Sequence, residues 1–139
     1  MVKKKKLLIC LILILLLISI GNFAFARNIA SYDLILPRGG MTYTYTAPLV
    51  KTTTGIDAVD NNSSIGGKYD TQISRIIYGT SAVSKTFTVT EGSRIRIPYN
   101  SSGGISLGQK GNSYRLSVRS QFGTPVRVQT RGSWSPDHQ

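Results

Sequence analysis

The strongest constraint on this chain is a period of two. Ile95, Ile97 and Tyr99 alternate with Arg94, Arg96 and Pro98. Tyr114, Leu116 and Val118 alternate with Arg115, Ser117 and Arg119, and Val126 and Val128 with Arg127 and Gln129. Successive side chains of a strand point to opposite faces, so each run reads as a strand with one apolar and one polar side. Phe87 and Val89 against Thr86 and Thr88 repeat the pattern, as do Met41, Tyr43 and Tyr45 against Thr42, Thr44 and Thr46. Residues 31–36 add a strand, ended by Pro37, Arg38, Gly39 and Gly40. Turn chemistry at 91–93, 100–104, 108–112 and 121–125 separates the runs, with Gly supplying positive φ and Pro fixing φ. The expectation is an all-β fold, a small antiparallel β-sandwich or barrel.

Two stretches fit the pattern less directly. Residues 51–67 are polar and poor in large apolar side chains, which predicts a long mobile loop. In 69–79, Tyr69, Ile73, Ile76 and Ile77 fall at helical spacing, with Asp70 placed to cap and Gly79 to stop. Thr71, Ile73, Arg75 and Ile77 equally suit a strand. The β-branched isoleucines and the all-β surroundings favour the strand over a helix of barely two turns.

The N-terminus reads as an export signal. Four lysines at 3–6 precede an apolar run at 7–20, and Ala24-Phe25-Ala26 offers a small-x-small cleavage site. The run is short of the roughly 20 apolar residues that span a bilayer as a helix. Residues 1–26 are thus expected to be a cleaved signal peptide and 27–139 a secreted β domain, held at the cell surface if the leader is not cut. Cys10 leaves with the leader, so no disulfide is expected and a core of modest size must hold the domain.

Charge is distributed unevenly along 27–139. Thirteen Lys and Arg stand against six Asp and Glu, and between residues 92 and 136 there are seven basic residues and no acidic one. If the apolar members of the alternating runs face inward, Arg94, Arg96, Arg115, Arg119 and Arg127 face outward. With Arg131 they form one arginine patch, provided that their strands are neighbours. A guanidinium fork meets phosphate or carboxylate oxygens two at a time, so the patch suits an anion. For an exported protein the candidates are teichoic acid, anionic lipid or another envelope polymer, and intracellular nucleic acid is not expected. Self-association through Thr-rich edge strands such as 41–47 is the alternative class.

Enzymatic chemistry finds little support. The single histidine, His138, sits next to the end of the chain in an expected tail, a poor place for a general base. Serines occur without a nucleophile-elbow pattern, so no enzyme and no cofactor are expected. Asp60-x-Asn62-x-Ser64 opens like a calcium loop, but Ile65 stands where the loop needs Gly and Thr71 where it needs a bidentate Glu. No metal is expected there. Tyr43 and Tyr45 read as inward positions of a half-buried strand. Trp134 reads as the residue that pins the last strand onto the core.

A Lys-rich leader, a cysteine-free Thr/Tyr/Gly-rich β domain, a closing Tyr114-Arg115-Leu116 strand and hairpin, and Gly132 to Asp137 together resemble small secreted β-rich proteins of Gram-positive bacteria. Some proteins of that kind look like bacteriocins acting on the cell envelope. The resemblance implies a compartment outside the cell and no particular activity.

Overall fold

Every regular element in the computed structural model, which describes residues 27–67, 69–100 and 108–138, is a strand. The expected leader at 1–26 and most of the expected turn at 100–104 lie outside the described residues. In chain order the strands are β1 (Ala30–Leu36), β2 (Thr44–Tyr45), β3 (Leu49–Val50), β4 (Ala58–Ile65) and β5 (Thr71–Tyr78), then β6 (Ser81–Ala82), β7 (Phe87–Thr90), β8 (Arg94–Ile97), β9 (Ser113–Ser120) and β10 (Val128–Ser135). They form two antiparallel sheets. One holds four strands in the order β1-β10-β4-β8. The other holds six along β2-β9-β5-β6, with β3 also on β9 and β7 also on β5.

The fold is thus a small β-sandwich, as the alternation predicts. Tyr114, Leu116 and Val118 of β9, Ile76 of β5, Ile97 of β8, Leu36 of β1 and Val128 and Trp134 of β10 fill the space between the sheets. Each such aliphatic side chain withdrawn from water contributes about 1.5–3 kcal/mol. Trp134 is fully buried on the last strand and holds it to the core. Val126 departs from expectation: it precedes β10 and is exposed.

Most connections change sheet. β1 to β2, β3 to β4, β4 to β5, β7 to β8, β8 to β9 and β9 to β10 each cross from one layer to the other. The expected C-terminal hairpin is therefore absent: β9 pairs with β5, and β10 lies between β1 and β4. The link at 121–127, with Gly123 at φ 81° and Pro125 beyond it, is an arch between layers and not a tight turn.

Three expectations need correction. Residues 51–67 are not one loop, since β4 runs through them as an inner strand, paired with both β10 and β8. Its inward side chains are Asp60 and Asn62, so the usual apolar signal is missing. Residues 71–78 do form a strand, but Gln72, Ser74 and Ile76 are the inward set, and Gly79 makes the turn into β6. The strand expected at 41–46 shrinks to β2, with Thr46 buried and Tyr45 47 % exposed. The Thr46 hydroxyl accepts the Leu116 N–H at 3.0 Å and ends the pairing there.

Two polar clusters lie inside. Between the sheets, the Tyr32 hydroxyl donates to Asp60 Oδ1 at 2.8 Å and the Ser74 hydroxyl to Asp60 Oδ2 at 2.9 Å. Asn62 Nδ2 donates to Thr130 Oγ1 at 2.9 Å, and Thr130 in turn donates to Gln72 Oε1. Gly132 makes room for this cluster, because a Cβ there would stand 2.6 Å from the Tyr32 hydroxyl and 2.5 Å from the Asn61 carbonyl. At one end of the sandwich the buried Lys51 ammonium donates to the carbonyls of Ile56 and Pro136, at 2.5 and 2.6 Å, and pairs with Asp137 at 3.0 Å. Residues 136–138 are consequently pinned, where a loose tail was expected.

Candidate functional site

The outer face of the six-stranded sheet collects arginines. Leu116 and Val118 face the core, so Arg115 and Arg119 of β9 face out, and Arg75 of β5 faces out opposite Ile76. In the β5–β9 register Ile73 lies beside Arg119, Arg75 beside Ser117 and Ile77 beside Arg115, so the three arginines zigzag across two adjacent strands. None of the six strands contains Asp or Glu.

Tyr43 is held over this face by a loop that packs on another loop. The Gly39 N–H donates to the Thr124 carbonyl at 2.6 Å, and the Gly123 N–H to the Gly39 carbonyl at 3.0 Å. Gly40, at φ 69°, has no room for a side chain, since a Cβ would fall 1.9 Å from the Gln121 carbonyl oxygen. Arg119 Nη1 closes the arrangement by donating to the Gly40 carbonyl at 2.6 Å. The Tyr43 ring then takes the Arg75 guanidinium at 3.9 Å from its centroid and that of Arg119 at 5.4 Å. A cation over a phenol face gains about 0.5–1 kcal/mol where exposed, and stacking leaves the in-plane N–H donors for an oxyanion.

Two hollows flank the stack. One, of about 300 Å³, is lined by Gly40, Met41, Tyr43, Arg119 and Phe122. The other, of about 230 Å³, is lined by Tyr45, Arg75, Ile77, Gly79, Thr80 and Arg115. Met41 and Phe122 stand 76 % and 77 % exposed at the rim of the first. Beneath the stack, Arg75 Nε and Ser117 Oγ are buried at paired positions without a hydrogen-bond partner among the described residues. Buried donors are seldom left so, and these two mark a polar floor.

Only part of the expected arginine patch assembles here. Arg115 and Arg119 share the face, while Arg94 and Arg96 lie on β8 in the opposite sheet. Arg131 of β10 is ion-paired with Asp33 at 3.0 Å on the surface, and Arg127 is exposed in the link before β10. The six arginines do not form one patch, because β8 and β9, successive in the chain, are not neighbours in a sheet. Arg96 instead donates through Nε to His138 Nε2 at 2.9 Å. Desolvation and the charges of Arg96, Arg94 and Arg27 hold the His138 imidazole below its usual range, so it is the neutral acceptor.

Sequence reasoning missed Tyr43 and Arg75 as partners. The alternation of Thr71, Ile73, Arg75 and Ile77 is the signal for Arg75, but it points to a site only once β5 is known to pair with β9. Among the described residues no three His, Cys, Asp or Glu side chains gather to hold a metal. The arrangement offers cation, hydrogen-bond donor and aromatic surface together. Such a surface is chemically suited to an anion with apolar or sugar-like parts. Comparison with protein-family models, with curated proteins and with solved structures finds no match for this chain.

Proposed function

We propose that the protein acts outside the cell as a non-enzymatic binder of an anionic envelope polymer, with the outer face of the β5–β9 sheet as its binding surface. One observation carries the reading: Arg75 and Arg119 stack on Tyr43, and Arg115 extends their zigzag, on a sheet whose strands hold no carboxylate. A polymer with a charged phosphate and an apolar or polyol link would meet guanidinium forks along the zigzag and ring faces between them. Teichoic acid has that chemistry. The bacteriocin-like role belongs to the same proposal and needs the same surface.

The test is retention of the purified protein on Gram-positive cell walls with and without teichoic acid, at low and high salt. Wild type is expected to be retained only with the phosphate polymer and to be released as salt rises, because binding by cations displaces condensed counterions. The triple variant R75Q/R115Q/R119Q should lose at least about tenfold in affinity. Retention that ignores the polymer, or a triple variant that binds like wild type, overturns the proposal.

A second reading, self-association, is favoured by β1. This seven-residue strand is a sheet edge, and Ile35 on it is 60 % exposed. The 41–47 segment does not supply that edge, having only two paired residues. Sedimentation across a hundredfold concentration range decides: a strict monomer removes this second reading.

A further inference from the structure

The outer face of the four-stranded sheet carries a hollow of its own. Its register lines up three polar residues from adjacent strands, Ser133 of β10 beside Asn61 of β4, and Asn61 beside Arg94 of β8. Adjacent strands lie about 4.8 Å apart, so this row is a compact set of donors. Arg27 and Ile29, just before β1, close its side, and the cavity so formed is about 100 Å³. The side chains of Arg94, Asn61 and Ser133 have no hydrogen-bond partner among the described residues. The one carboxylate at an outward position of these four strands, Asp33, is already paired with Arg131 at 3.0 Å.

Size and donor chemistry narrow the occupant. At about 100 Å³, against 230 and 300 Å³ for the two hollows of the other sheet, the cavity suits one small tetrahedral group better than a chain passing through. A guanidinium, an amide and a hydroxyl in one row can each donate to a different oxygen of a tetrahedral oxyanion, whose acceptors spread in three dimensions as a planar carboxylate's do not. Arg96, paired with Val59 of the lining, donates to His138, whose basicity is lowered by desolvation first and then by the charges of Arg96, Arg94 and Arg27.

We infer that this hollow is a second anion site, separate from the Tyr43 face, and that it takes a single phosphate group, free or as the terminal monoester of a larger molecule. The two sites lie on opposite sheets and share no residue.

The experiment is a titration of the full chain by NMR, following the Arg94 Nε–H and Asn61 side-chain amide signals. The probes are inorganic phosphate, glycerol 1-phosphate and sodium chloride at matched ionic strength. Phosphate is expected to give saturable shifts that chloride does not. R94Q and N61A should each weaken binding, R94Q by about tenfold or more, since a hydrogen bond to a charged group is lost. Both positions are exposed, so the variants keep the fold. R75Q/R115Q/R119Q should leave these shifts unchanged, which separates this site from the polymer face. Saturation by glycerol 1-phosphate as well assigns the site to a phosphate end group, and saturation by inorganic phosphate alone assigns it to the free ion; both support the pocket. Shifts equal to those with chloride, or R94Q and N61A binding like wild type, overturn it.

Discussion

The Asp60 carboxyl lies between the two sheets with three neutral donors about it, the Tyr32 and Ser74 hydroxyls and the Gln72 amide. Burial pushes its pKa up to about 6, and these hydrogen bonds offset only part of that. In the unfolded chain an aspartate titrates near 3.9. The native state therefore holds the extra proton between about pH 4 and pH 6, so this residue favours folding at low pH and its contribution is lost as pH rises through 6. Asp60→Asn is expected to raise Tm at pH 8, by an amount corresponding to about 2 kcal/mol, and to bring the two proteins together only below about pH 4. Thermal melts of both proteins across that range are the check, and parallel curves would remove the assignment. Lys51 and Asp137 form the opposite case. Burial alone would raise the Asp137 carboxyl, but the Thr52 N–H, the Lys51 ammonium and the Thr52 hydroxyl hold it below the usual range. Its contribution is kept above that range and lost as the solution becomes more acid. Lys51→Met leaves a carboxylate buried without its cation and should cost about 3 kcal/mol in urea unfolding at pH 7, with D137N in the same chain restoring part of it.

At the scale of elements, the bulge in β4 at Ser63 and the glycine of β10 facing it decide whether β1 and β4 can close on either side of β10. The β10–β4 register shifts between Arg131 and Gly132, and Tyr32 reaches over Gly132 to Asp60. Gly132→Ala drives a methyl into the Tyr32 ring and the β4 backbone, so a loss of about 2 kcal/mol or more is expected in denaturant unfolding. The same elements show how far the chain could be read without coordinates. Strands β8, β9 and β10 announce themselves because their inward residues are Ile, Leu, Val and Trp. β4 hides because Asp60 and Asn62 take the inward places that apolar residues usually hold, and period-two reading weighs hydrophobicity and not burial. Outward arginines were legible one by one. Their grouping was not, since pairing order is set by which strands cross the sandwich, and nothing in a period of two records that.

For the whole molecule, the strand made last occupies a middle position. β10 lies between β1, the first strand, and β4, and the segment just beyond it is clamped by Lys51. A chain leaving a ribosome or a pore N-terminus first has β1, β4 and β8 in hand but no partner to join β1 to the others until residue 128 and beyond arrive. β1 therefore joins the four-stranded layer late, whereas β4 and β8 can pair beforehand. A chain stopped at 127 should show no protected amides in β1 by hydrogen exchange, whereas the complete chain protects them; protection in the truncated chain would mean that β1 finds another partner. β10 is thus a keystone: among the described residues β1 has no other strand partner, and without β10 the inner strand β4 keeps only β8.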